Sequence, residues 1–346
     1  MLQTFMYGPG DVRVEDIPEP SIIKPSDAII KMIRTCICGS DLWPYRGLDG
    51  DAESGQWPRT MGHEYIGEVV EVGSAVRSIK VGQFVIGSFA TSDGTCEFCR
   101  SGYYSHCLDR EFAGATQAQY FRVHQADGTL VATDGTPDED LLPSLLTASD
   151  VLGTGYYAAK AAEVAPGKTV VVIGDGAVGL MGALSARMLG AERIIAMSRH
   201  EDRAALAREF GATDVVAERG AEGIAHIKDL TDGLGAHSAL EAVGSQQSME
   251  QAIGACRPGG HVGFVGVSHD QTLDGSSLFF SGVHLHGSPA PVRAWLPELI
   301  DAIQRREINP GRVFDMHLPL SRAAEGYDAM DERRAIKVLL DPWAEN

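Results

Sequence analysis

The stretch that decides the fold is Lys168–His200, KTVVVIGDGAVGLMGALSARMLGAERIIAMSRH. Thr169–Ile173 is a near-continuous apolar, β-branched run of the kind buried on both faces of a parallel sheet. Gly174-Asp175-Gly176-Ala177-Val178-Gly179 follows at once, then a helical run through Met188 stopped by Gly190. Arg193–Met197 reads as the next strand. In this frame Gly174 turns tightly off the strand, Gly176 lets backbone approach a pyrophosphate, and Gly179 lets helix pack close to sheet. The helix N-terminus, with Ala177 and Val178 in its first turn, offers free N–H groups and a positive dipole end. A glycine triplet alone is weak evidence; between a strand and a helix of one βαβ unit it predicts a dinucleotide site.

The end of the second strand bears on which dinucleotide. An acid there accepts the ribose 2′-OH of NAD, whereas an arginine suits a 2′-phosphate. This chain has Ser198-Arg199-His200, with no acid until Glu201. Arg199 can pair bidentately with a phosphate and Ser198 can donate a hydrogen bond, so NADP(H) is the expected cofactor. The alternative is a solvated arginine at a helix start.

The 346 residues suggest two domains, with 44% hydrophobic and 22% charged residues, as in ordinary globular proteins. A net charge of −18 argues against nucleic acid and anionic membranes as partners. No run approaches the ~20 apolar residues of a membrane span. The first residues, MLQTFMYGPGDVRVED, lack a basic segment and an apolar core, so no secretory signal is expected. A cytoplasmic location follows as the expectation, with the six cysteines serving as metal ligands or free thiols.

Up to about residue 150, short alternating runs such as Ala28–Ile33, Ile66–Val72 and Phe84–Ser88 sit between Gly and Pro turns, predicting an all-β or barrel-like domain. From about 153 to 287, strands alternate with helical stretches (Val170–Ile173, Ile194–Met197, Asp214–Val216, Ser238–Glu241, Val262–Val265), the pattern of a doubly wound parallel sheet. A helix over Trp295–Arg305 and strand-like Val313–Leu318 and Ile336–Leu340 are expected to rejoin the first domain. Two such domains make a crevice the default site.

Cys38 and His63, in Cys36-Ile37-Cys38-Gly39-Ser40-Asp41 and Gly62-His63-Glu64, can bind zinc, which favours N and S ligands and keeps one position open in catalytic sites. From these two residues alone, a buried structural pair is an equal reading. Cys36, two positions away, points to the opposite face of a strand and reads as core.

Gly62-His63-Glu64 with Gly67, Gly73 and Val76, the upstream Cys38-Gly39-Ser40-Asp41 and the downstream fingerprint resemble the zinc-dependent alcohol dehydrogenases of the medium-chain dehydrogenase/reductase superfamily. The resemblance covers essentially the whole chain. It implies an α/β protein: a GroES-like β-barrel catalytic domain over 1–152 and 288–346, and a Rossmann domain over 153–287. It further implies zinc ligation by Cys38, His63 and Asp150, the last standing before Thr154-Gly155-Tyr156, with Glu64 joining the metal or orienting it from outside. Asp150 as the cap of a helix starting at Val151 is the alternative. Ser40 would pass the proton. Trp43, where relatives often carry a relay histidine, would wall an apolar pocket with Leu42 and Tyr45, or simply pack.

A structural zinc lobe is implied at Cys96, Cys99 and Cys107, with Asp93 where the first of four cysteines belongs; a carboxylate can complete a tetrahedral site at some loss of affinity. The alternative is a cysteine loop whose site has decayed. Thr154, Val243, Val265, Gly266 and Val267 resemble cofactor-lining positions, and Lys337 a phosphate-contacting base. His284 and His286 share one strand face and read as surface or interface. Zn²⁺ and NADP(H) as cofactors, a small alcohol or carbonyl substrate, and a dimer or tetramer are the expectation. Polyol, threonine or thiol-adduct dehydrogenases using NAD(H), and a catalytically silent binder of nucleotide or zinc, are the alternatives.

Overall fold

A computed structural model describes residues 1–48, 57–269 and 271–345. The chain divides into two compact units, one formed by Met1–Gly153 with Pro291–Asn346 and the other by Thr154–Ala290.

In the first unit a sheet with seven strands among the described residues runs Met316–Pro319, Val338–Asp341, Ala28–Cys36, Tyr65–Val72, Phe84–Gly87 and Leu130–Ala132, with Tyr120–Val123 also pairing to Ala28–Cys36. The tail therefore rejoins the N-terminal segment, as Leu339 and Leu340 pair antiparallel with Cys36 and Thr35. Alternation along Ala28–Cys36 sends Ala28, Ile30 and Met32 into one core with Tyr65, Val69 and Val85. A second core forms where Ile37, Leu42 and Met61 meet Tyr327, Met330 and Val338. The unit is less purely β than expected, since Leu142–Ala148 and Ala323–Asp331 are helices. The strand expected over Val313–Leu318 is confined to Met316–Pro319, because Pro310–Val313 turns as a 3₁₀ helix.

The second unit carries six parallel strands among the described residues, in the order Asp214–Val216, Arg193–Met197, Thr169–Ile173, Ala236–Glu241, Cys256–Phe264, His284–Gly287. Strand order reverses between Thr169–Ile173 and Ala236–Glu241, and open sheets of this kind bind ligands outside the carboxyl ends at that point. Val171, Ile173, Ile195, Met197 and Ala239 are buried, as their apolar runs require.

Candidate metal centre and cofactor site

His63 leaves a turn at Gly62, whose φ of +88° and 2.5 Å clearance between a would-be Cβ and Gln117 admit only glycine. Cys38 follows the strand Ala28–Cys36, and Asp150 lies between the helices Leu142–Ala148 and Val151–Ala161. These three elements bring Cys38, His63, Glu64 and Asp150 together, with one ligand atom of each within 4.8 Å of all the others. Asp150 Oδ2 lies 3.2 Å from His63 Nε2 and 3.9 Å from Cys38 Sγ. Tetrahedral zinc with bonds of about 2.0–2.3 Å separates its ligands by roughly 3.3–3.8 Å, close to the Asp150 distances, so the donor set fits that ion. A capping role leaves this convergence on Cys38 and His63 unaccounted for.

Asp41 is the residue the sequence reading passed over. Its Oδ1 lies 3.4 Å from His63 Nδ1, and its Oδ2 accepts the Cys38 N–H at 3.0 Å. One carboxylate thus fixes the imidazole tautomer, aiming the Nε2 lone pair at the cluster, and holds the Cys38 backbone. Burial alone would lower the His63 pKa, but the charges of Cys38 and Asp41 and the hydrogen bonds its ring donates to Asp150 and Asp41 hold it well above its ordinary value.

Glu64 is fully buried; its Oε1 accepts from Lys337 Nζ at 2.6 Å, and its Oε2 has no hydrogen-bond partner among the described residues. A buried orphan acceptor beside three ligands is what a neighbouring cation would satisfy. Burial pushes the Glu64 carboxyl up while the ammonium counters it; for Lys337 the desolvation penalty is outweighed by Cys36, Glu64 and Cys38, which keep it charged. Lys337 is fully buried and bonded to Glu64 and, at 3.2 Å, to the Ile37 carbonyl, a pairing the sequence did not announce.

Ser40 Oγ lies 3.5 Å from His63 Nε2, at the edge of the cluster. Phe89 meets the His63 ring edge-on and stacks on Phe112, an apolar wall the sequence did not announce. Leu42 is buried in the core, and Tyr45 packs on Tyr327 with its hydroxyl donating to Asp328, so both spend their contacts within the fold.

Asp93, Cys96, Cys99 and Cys107 form a second cluster within the same 4.8 Å limit. Cys96 Sγ lies 3.5 Å from Cys99 Sγ and 3.9 Å from Cys107 Sγ. The N–H groups of Asp93 and Asp109 donate to Cys107 Sγ. Backbone N–H groups of Cys99 and Leu108 lower the Cys96 pKa toward the thiolate that a metal needs. Burial raises Asp93, but the Thr95 and Cys96 N–H groups outweigh it and keep the carboxylate ionised. The donor set fits a closed, four-ligand zinc.

In the other unit, Gly176 caps the helix Ala177–Met188, and a Cβ there would meet nothing within 4 Å, so the volume above the loop is open to a pyrophosphate. A Cβ on Gly179 would stand 1.9 Å from the Gly174 carbonyl, which explains the third glycine by contact with the loop itself. Val243, Val265, Gly266 and Val267 lie beyond the carboxyl ends of Ala236–Glu241 and Cys256–Phe264, where Glu241 accepts the Val243 and Gly244 N–H groups at 2.8 Å. Thr154 is buried in the helix Val151–Ala161. Ser198 donates to Asp175 Oδ2 at 2.7 Å, and Arg203 and Arg219 stand with Arg199 at the end of the second strand. Neither Arg203 nor Arg219 was singled out from sequence, although Arg203 is one helical turn beyond Arg199.

The fold and site define a zinc-binding dehydrogenase with a GroES-like domain. The alcohol dehydrogenase GroES-like domain family matches residues 24–134, and the zinc-binding dehydrogenase family matches 177–305. Zinc-type alcohol dehydrogenase B of Aspergillus flavus is 33% identical, over 98% of this chain and 81% of its own. The solved alcohol dehydrogenase of Thermus sp. ATN1 superposes with a TM-score of 0.89 at 29% identity, covering 99% of each chain. The L-threonine 3-dehydrogenase of Thermococcus kodakarensis is 31% identical over 81% of this chain and 79% of its own. The chain belongs to the zinc-dependent alcohol dehydrogenases of the medium-chain dehydrogenase/reductase superfamily.

Proposed function

We propose that the protein is an NADP(H)-preferring alcohol dehydrogenase or carbonyl reductase, with Thr154–Ala290 as its cofactor domain and the remainder as its catalytic domain. The observation that carries this reading is the convergence of Cys38, His63 and Asp150 with Ser40 Oγ at the cluster's edge. Zinc held by these three ligands supplies Lewis-acid polarisation of a carbonyl oxygen, and the nicotinamide supplies the hydride. The protein's own part is positional. Asp41 orients His63 and Cys38, Ser40 donates or accepts the proton at the reacting oxygen, and Phe89 with half-buried Trp43 keeps water from it. Glu64, balanced by Lys337, keeps one oxygen turned to the cluster for ligand exchange.

Arg199, Arg203 and Arg219 support the 2′-phosphate reading by gathering three guanidinium groups at one strand end. The second cluster is read as structural zinc. Six free thiols suit a reducing cytoplasm, and the exposed strand His284–Gly287 beside exposed Phe279 and Phe280 suits a dimer or tetramer. Among the described residues no helix is long and apolar enough to cross a membrane. The relative that acts on threonine keeps an NAD-linked amino-alcohol or polyol dehydrogenase as the second reading.

The test is oxidation of NADPH and of NADH across a panel of aldehydes and ketones, before and after chelation. Turnover with NADPH, destroyed by chelation, restored by zinc and absent in Cys38→Ala with the fold intact, is expected. Retained activity in Cys38→Ala rejects the metal mechanism. Turnover confined to NADH, or Arg199→Asp leaving NADPH preference unchanged, rejects the cofactor assignment.

A further inference from the structure

The sequence places no acid at the end of the second strand, yet the structure brings one there. Asp175, the residue between the first two fingerprint glycines, accepts the Ser198 hydroxyl at Oδ2 (2.7 Å). Its Oδ1 lies 3.6 Å from Arg203 Nη1, with side-chain exposures of 18% for Asp175 and 13% for Arg203. The same guanidinium nitrogen reaches the Asp175 carbonyl at 3.5 Å. Arg219, tied to the carbonyls of Met197, Ala217 and Glu218, completes the cluster from the neighbouring strand end. Ser198 is buried, and among the described residues its hydroxyl meets Asp175, the carbonyl of His200 and the His200 N–H, which donates to it at 3.3 Å.

We infer that Asp175 is a specificity-determining residue: an internal carboxylate that competes with the 2′-phosphate of NADP(H) for Ser198 and Arg203. This rests on the NADP(H) reading above. A phosphate seeks the same two donors and is repelled by the carboxylate that holds them, so NADP(H) must displace Asp175. NAD(H) presents a 2′-hydroxyl, which can donate to that carboxylate and need displace nothing. Asp175 thus narrows the preference for NADP(H) that Arg199, Arg203 and Arg219 create. No proton or electron moves in this role; it is a competition for hydrogen-bond donors.

The experiment is equilibrium titration of the zinc-loaded protein with NADPH and with NADH, followed by nicotinamide fluorescence. It compares the native chain, Asp175→Asn, Arg203→Gln and the double variant. One freed charge-assisted hydrogen bond corresponds to about a tenfold change or more. Asp175→Asn is therefore expected to tighten NADPH about tenfold and weaken NADH several-fold, and in the Arg203→Gln background most of the NADPH gain should vanish. An unchanged or weaker NADPH affinity in Asp175→Asn overturns the inference, provided the thermal midpoint is native. Asp175→Ser, which also removes the charge, repeats the comparison should Asn destabilise the loop. If the native chain rejects NADPH, the cofactor reading falls; a gain of NADPH binding in Asp175→Asn would still uphold Asp175's role, and no gain would overturn both.

Discussion

Replacing Lys337 by Met isolates an ion pair whose two members are both fully buried. The ammonium and the Glu64 carboxylate are fully buried and 2.6 Å apart. At an effective dielectric of about 20 their attraction is about 6 kcal/mol, and desolvation of two ions consumes several kcal/mol each, so the intact pair contributes little net stability. Breaking it is another matter, because the stranded carboxylate keeps its desolvation penalty and costs about 3–5 kcal/mol. In chelator-treated protein the thermal midpoint should fall by roughly 6–20 °C. Zinc should restore much of that loss, since the cation replaces the ammonium as neighbour of Glu64. The deficit should also shrink as pH falls, because Glu64 then takes a proton and ceases to be an unpaired charge. Lys337→Met with Glu64→Gln should recover most of the stability. Denaturation of the native chain, the two single variants and the double variant, with and without zinc and at neutral and acid pH, measures all four effects. A single variant that costs less than about 1 kcal/mol, or a double variant no better than the single, refutes the reasoning.

Four further outcomes are expected. His63 is held above its ordinary value of 6.5 in the metal-free chain, so its stabilising contribution is complete below that pH and is lost as pH rises through the elevated value. Zinc needs the same nitrogen deprotonated, so zinc retention runs the opposite way, and a chelator-dye titration at pH 5 to 9 should show release toward acid. Cys99→Ser should lower the zinc content from two per chain to one and cost stability while leaving Cys38 chemistry in place, as elemental analysis beside activity would show. Asp93→Cys should slow loss of that zinc to chelator, because thiolate is the softer ligand. Gly179→Ala forces a Cβ onto the Gly174 carbonyl and should abolish dinucleotide binding in a titration while the metal clusters persist.

What was legible in sequence was what local spacing encodes. The period and β-branching of Thr169–Ile173 and Arg193–Met197, with the glycine triplet between them, suffice for a parallel sheet and its binding edge. Cys38, His63 and Asp150 were legible as candidates through their resemblance to known zinc ligands, each within a few residues of a recognisable turn. Asp41 was quoted without a role because its meaning depends on His63, 22 positions away, and the pairing of Lys337 was not legible because its partner Glu64 is 273 positions away. A lysine reads as solvated until a buried carboxylate is placed against it. Asp175 likewise sat in plain view inside the fingerprint, but only the return of the chain at Ser198 gives its carboxylate a partner.

The wide separation of Glu64 and Lys337 has a meaning for the chain as it leaves the ribosome. At about 5–20 residues per second, roughly 15–55 s pass between the emergence of the carboxylate and that of the ammonium. During that interval Thr154–Ala290, whose six strands pair only among themselves, has every partner it needs. The sheet that houses the metal ligands lacks Val338–Asp341, its neighbour along Ala28–Cys36, until much later. Cys38, His63 and Asp150 thus all emerge before the lysine that balances Glu64, and the cluster is complete in the chain well ahead of its electrostatic partner.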